Sequence, residues 1–132
     1  MKKIEYALIA MLALTLVFAS CKKEKEKYLT PENTTGVFVK AFCTADFATM
    51  YDCTASNNRI IIQTIENQMN KKQDQLKKMK DNEVVINKIE CKMQNDSVAE
   101  CVCSYTLNKN PRKDLYMLKK IDARWVVDMR VN

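Results

Sequence analysis

The chain has 132 residues, a formal net charge of +6, six cysteines, a single glycine and no histidine. The missing imidazole excludes His-dependent triads, His-ligated zinc and imidazole general bases, and with Gly36 alone no glycine-rich loop can cradle a phosphate. The positive charge is spread: Lys71, Lys72, Lys77, Lys78 and Lys80 are interleaved with Glu66, Asp74 and Asp81, the pattern of a solvated helix face, so no nucleic-acid partner is expected.

Lys2 and Lys3 open the chain, an apolar run follows from Tyr6 to Ala19, and Ser20-Cys21 leads into Lys22-Lys23-Glu24-Lys25-Glu26-Lys27. A basic start, a short apolar run and small residues at its end make a secretory signal. Phe18-Ala19-Ser20-Cys21 resembles the lipobox of bacterial lipoproteins, with Phe18 where leucine is commoner. The resemblance implies a signal peptide at 1–20, lipidation at Cys21 and membrane attachment through that anchor. Residues 21–29 read as a Lys/Glu-rich tether. Lys22 in place of aspartate after the cysteine implies, by the Gram-negative sorting rule it resembles, the outer membrane. Two alternatives fit less well. A spanning helix needs roughly 20 apolar residues, and this run is about 14. Ordinary cleavage after Ser20 meets bulky Phe18 where a small side chain belongs. Removing 1–20 takes away Lys2, Lys3 and Glu5 and leaves +5 on a mature chain long enough for one small domain, 30–132.

Thr30-Pro31-Glu32 reads as a helix start, with Thr30 capping, Pro31 in the first turn and Glu32 complementing the dipole. Val37, Phe38, Ala41 and Phe42 recur at helical spacing, which predicts a helix over about 31–43. Gly36 inside it is either a point of close approach or simply tolerated. Asp46 caps a short second helix, about 46–53, carrying Phe47, Met50 and Tyr51. Ser56-Asn57-Asn58 starts a third, whose stripe Ile61, Ile62, Ile65, Met69, Leu76 and Met79 extends it to about Lys80.

Period two takes over after Asp81-Asn82. Val85, Ile89, Cys91 and Met93 share one face of a strand over 83–93. Ala99, Cys101, Cys103, Tyr105 and Leu107 share one face of a strand over 97–108. If both faces are buried, like parities must oppose, and a loop over Asn95 to Ser97 sets Cys91 opposite Cys101. Asn110-Pro111 marks the next turn. Strands over about 113–121 and 124–131, joined at Asp122-Ala123, pair Leu118 with Val127 and Tyr116 with Met129. Ala123 in place of the usual glycine implies a strained or longer turn. Trp125, Val127, Met129 and Val131 then line one face, and Asp128 and Glu100 point outward.

Five cysteines remain after Cys21, so one is free or bridges between chains. Three alternatives stay open: buried thiols alone, one or more disulfides with Cys91–Cys101 the best pair geometrically, or soft-metal capture by Cys91, Cys101 and Cys103. The site expectation carries no metal and no cofactor.

Helices followed by a four-stranded antiparallel meander make an α+β order. The ending Phe38-Val-Lys-Ala-Phe42, the restart Ala45-Asp46-Phe47 and the hairpin Ile121-Asp-Ala-Arg-Trp125-Val-Val resemble small bacterial lipoproteins of unknown function with a nuclear-transport-factor-2-like (cystatin-like) domain. The resemblance covers about 30–131. It implies a curved sheet wrapping a long helix, a cone with an open mouth, and in many relatives a dimer through the sheet. Candidate lining residues are Phe38, Phe42, Tyr105, Tyr116 and Trp125, against the alternative that they only fill the core. The expected role is non-enzymatic binding of a small apolar ligand or an envelope protein. The second reading is a small isomerase- or dehydratase-like enzyme using a pocket carboxylate and a tyrosine. Radiolabelled palmitate is expected to mark the protein in cells, and Cys21→Ala to lose the label and enter the soluble fraction; a labelled Cys21→Ala protein would remove the lipobox assignment.

Overall fold

The computed structural model describes residues 27–129; the signal segment, Cys21 and most of the tether lie outside them, as does Val131. Helix α1 spans Pro31–Cys43 and α2 Phe47–Asp52. A 3-10 turn at Ser56–Asn58 leads into α3, Arg59–Asn70, and α4, Gln73–Lys80. Strands β1 Val84–Asn95, β2 Val98–Leu107, β3 Asn110–Ile121 and β4 Arg124–Asp128 follow. They form one antiparallel sheet in the order β1-β2-β3-β4. The protein is α+β, its helices preceding a four-stranded meander.

Local chemistry sets the helix ends. Thr30 Oγ1 accepts the Asn33 N–H at 3.2 Å and Pro31 fills the first turn of α1. At the other end Asp46 N–H donates to Ala41 O at 2.8 Å and Ala45 N–H to Phe42 O at 3.4 Å, a Schellman closure that puts Ala45 at φ 54. Asp46 then caps α2, accepting the Thr49 N–H at 3.3 Å and the Thr49 hydroxyl at 2.6 Å. Helix α1 lies against β1, β2 and β4. Its buried residues divide between two core clusters, Phe38 and Ala41 in one, Val39 and Cys43 in the other. A Cβ on Gly36 would meet Ile89 Cδ1 at 3.4 Å, so the glycine marks where α1 comes close to β1 without being required there.

The expected third helix is two. It breaks at Lys71-Lys72, where Lys72 leaves the helical region at φ −122, ψ 64. The apolar stripe lapses there: residues 70–75 are all exposed, and burial resumes only partly at Leu76 and Met79. With nothing to bury, the middle turn has no tertiary reason to stay helical.

The strand registers pair Cys91 with Cys101, Ile89 with Cys103 and Leu118 with Val127, as the parity argument expects. A bulge between Ile86 and Lys88 flips the parity of the first turn of β1. Val84 and Ile86 therefore pack on the core, and Val85, expected inside, is 47% exposed. Met93 is also exposed. The β2–β3 turn falls at Asn108-Lys109, both left-handed, instead of Asn110-Pro111, which begins β3. Asn108 holds the Glu83 backbone twice, its N–H donating to Glu83 O and its side-chain Oδ1 accepting the Glu83 N–H, each at 2.9 Å.

Asp128 is buried, contrary to its expected outward position. Alternation does place it on the face away from α1, but that face is covered at this point. Asn58 Nδ2 donates to Asp128 Oδ1 at 3.3 Å, and Lys119 Nζ lies 2.7 Å from Oδ2. Residues 53–55 run parallel to β4: Val127 N–H donates to Cys53 O at 2.8 Å and Ala55 N–H to Val127 O at 2.9 Å. The edge of β4 is thus closed by the chain itself.

The β3–β4 turn has two residues, with Asp122 at φ 51 and Ala123 at φ 62. A left-handed L-residue costs about 1–2 kcal/mol. Ala123→Gly is expected to raise the unfolding free energy by about 1 kcal/mol, strain relief exceeding the entropy added to the unfolded chain. Urea titration measures it; a clear loss of stability would mean that Ala123 is not held left-handed.

Candidate functional site

Helix α1 carries Phe38 and Phe42 one turn apart on the same side, ring centroids 6.0 Å apart. Phe38 meets the Tyr116 ring edge-on at 5.3 Å. Strand β4 ends at Asp128, paired with Met117. Beyond that point β3 has a described partner on one side only, and a cleft of about 320 Å³ opens there. Its wall combines Phe38 and Phe42 from α1, Asp114 to Met117 from β3, and Val127 to Met129 at the end of β4.

Asp114 is the centre of its polar chemistry. The Tyr105 hydroxyl donates to Asp114 Oδ2 at 2.6 Å and the Tyr116 hydroxyl to the same oxygen at 3.2 Å. Oδ1 has no hydrogen-bond partner among the described residues. Burial pushes both tyrosine hydroxyls well above their usual range. For Tyr105 the bond to Asp114 adds to this, and for Tyr116 the negative charge of Asp114 does. Both remain protonated donors at neutral pH. Cys103 lies opposite Asp114 in the β2–β3 register. Its thiol is pushed up to about 11, first by burial and then by the charge of Asp114. Burial also raises Cys43, against the opposing hydrogen bond to Tyr105. Cys53, across the core, is pushed up to about 12 by burial and then by Asp52. These three cysteines are free and buried, and burial disfavours the thiolate in each.

Cys91 and Cys101 are joined by a disulfide on the inner face of the β1–β2 hairpin. Phe38, Phe42 and Tyr116 border the cleft, but Tyr105 and Trp125, expected on its wall, do not. Tyr105 is 6% exposed and reaches the site through Asp114. Trp125 is 4% exposed and packs in the main core cluster with Tyr28 and Met50. The side chain that the sequence reading missed is Asp114. Its parity matches that of Tyr116 and Leu118, so the alternation that put those residues inside also puts Asp114 inside. Leu115, Met117 and Met129 were missed for a different reason: the sequence reading carries the last strand to about 131, whereas β4 ends at Asp128 and the cleft lies beyond that point.

Among the described residues no group of three His, Cys, Asp or Glu side chains is placed to hold a metal ion, and no helix is long and apolar enough to cross a membrane. Compared with protein-family models, curated proteins and solved structures, the chain finds no significant match.

Two bonds to one carboxylate oxygen, of different length, predict unequal contributions. Tyr105→Phe is expected to cost about 1.5–3 kcal/mol, as a short hydrogen bond to a charged group does, and Tyr116→Phe about 1 kcal/mol. Urea unfolding of the two variants checks the order. A Tyr116→Phe loss exceeding that of Tyr105→Phe would contradict the geometry.

Proposed function

We propose that this chain is a non-enzymatic lipoprotein of a Gram-negative cell envelope, held at the outer membrane through Cys21, whose domain binds a small, largely apolar ligand. The same reading takes the domain as a nuclear-transport-factor-2-like (cystatin-like) cone. The order of helices and meander supports it, as does α1 lying across the inner face of the sheet; among the described residues the helix that takes this place, α1, has 13 residues. The observation that carries the binding role is the cleft: aromatic and thioether side chains on its walls, with two carboxylates among them, Asp114 and the ion-paired Asp128. A ligand suited to it has an apolar body for Phe42 and Met129 and a single N–H or O–H donor for Asp114 Oδ1.

The enzyme reading, an isomerase or dehydratase, draws on Asp114 lying beside Tyr116. The hydrogen bonding favours binding instead. Each tyrosine has one hydroxyl proton, and both protons are directed to Asp114 rather than toward a substrate oxygen.

N-phenyl-1-naphthylamine, a neutral aromatic amine with one N–H donor, tests the site. Its emission is expected to rise saturably on binding. Phe42→Ala, at a side chain 41% exposed and so dispensable to the core, is expected to weaken binding about tenfold, or roughly 1.4 kcal/mol. No saturable rise, or one indifferent to Phe42→Ala, would overturn the ligand site. Solvent deuterium exchange into a ketone, abolished by Asp114→Asn, would establish the enzyme reading instead.

A further inference from the structure

The end of the domain that faces the bilayer follows from where the tether joins it. Tyr28 is 5% exposed although it lies in the stretch read as tether. Its hydroxyl donates to Asp52 Oδ2 at 2.6 Å, and its carbonyl accepts the Trp125 N–H at 2.9 Å. The Arg124 guanidinium lies over its ring, 4.4 Å from the centroid. Tyr28 is therefore a fixed point on the folded domain. The seven residues from Cys21 to Tyr28 span, in any conformation, at most about 25 Å. With Cys21 acylated, this end of the domain is confined to that distance from the membrane.

The surface around Tyr28 combines exposed apolar side chains and cations with two carboxylates, Asp52, which is paired with Arg124, and Asp122. Arg59, Ile121 and Arg124 border one shallow depression together with Tyr51 and Asp52. Ile60, next to Arg59, is 75% exposed, the most exposed large apolar side chain among the described residues. Leu29, next to Tyr28, is 52% exposed, and Ile121 is 46% exposed at the tip of the β3–β4 hairpin. Arg59 rests over the Tyr51 ring at 5.2 Å and Lys27 near the Tyr28 ring at 5.9 Å.

We propose that this end is an interfacial docking surface for the phospholipid leaflet that carries the anchor. Ile60, Ile121 and Leu29 enter the boundary between headgroups and acyl chains, and Arg59 and Lys27 meet the phosphates of anionic headgroups. Arg124 is the positioning residue: its ion pair with Asp52, 3.1 Å, ties α2 to the hairpin that presents Ile121. The inference rests on reading Cys21 as lipidated. Docking fixes the orientation of the domain, where a tether alone would leave it free to tumble.

The experiment uses the full acylated chain in vesicles of phosphatidylethanolamine and phosphatidylglycerol. A nitrobenzoxadiazole probe is placed on Ile60→Cys, and a control on Lys113→Cys, eight residues along β3 from Ile121 and about 27 Å away. Cys43, Cys53 and Cys103 are buried and escape labelling. The probe at position 60 is expected to shift to the blue and to be quenched by nitroxide lipids, while position 113 stays in water. Each cation near an anionic surface is worth roughly fivefold in partitioning. Arg59→Gln is therefore expected to lower the docked-to-undocked ratio at position 60 about fivefold without releasing the protein. Vesicles that float without the protein would remove the anchoring reading and this one with it. Co-flotation with position 60 in water would overturn docking alone. Shielding of position 60 without quenching by lipid would also overturn it, assigning the surface to a second protein chain.

Discussion

Strand β4 is the piece on which the two halves of this protein depend. It is short, yet each of its edges and faces is used. One edge pairs with β3. The other takes the backbone of residues 53–55 and, through the Trp125 N–H, of Tyr28. Trp125 O accepts the buried Thr34 hydroxyl of α1 at 3.0 Å, and Val127 O accepts Asn58 Nδ2 at 3.3 Å. The N-terminal segment, α1, the end of α2 and the start of α3 all attach to five residues. These bonds are buried, so breaking one exposes an unsatisfied polar group in the core instead of a group that water can reclaim.

The same economy shows in the turns. The described chain has five residues at positive φ, Ala45, Asn108, Lys109, Asp122 and Ala123, and none is glycine. Each is held where its neighbours are already fixed: Ala45 by the helix closure, Asn108 by Glu83 and, with Lys109, by the Leu107–Asn110 pair, and Asp122 with Ala123 by the β3–β4 pairs. The single glycine sits instead in α1, where the backbone needs no special freedom. Tight turns with costly residues oblige the surrounding pairs to be well made.

Where periodicity and capping chemistry act alone, the sequence is a good guide. Thr30 and Asp46 cap as their residue types suggest, and the inward faces of β2 and β4 are those that alternation selects. Reading failed where one element altered another. The bulge before Lys88 reverses the parity of Val85 and Ile86, and no residue type there announces it. Asp128 alternates outward as expected, but residues 53–58 cover it, a tertiary event that its own strand does not encode. Asp114 was legible and overlooked: a charged residue on an apolar parity is a site signal, and it stood two positions from Tyr116. The cleft itself was not legible, since it depends on where β4 ends.

The bond between Tyr28 and Trp125 joins nearly the first described residue to nearly the last, and this has a consequence for how the chain acquires its fold. A polypeptide emerging from its N-terminus makes α1 and α2 first, yet the partners of Tyr28, Thr34 and Asn58 arrive only with β4. The meander can assemble from neighbouring strands at small loop-closure cost. Until β4 is present, the circle that includes the helices stays open. A chain so closed is also a natural subject for circular permutation. Its first and last described segments meet at Tyr28 and Trp125, and a new opening would fall at Lys71-Lys72, where residues 70–75 are all exposed.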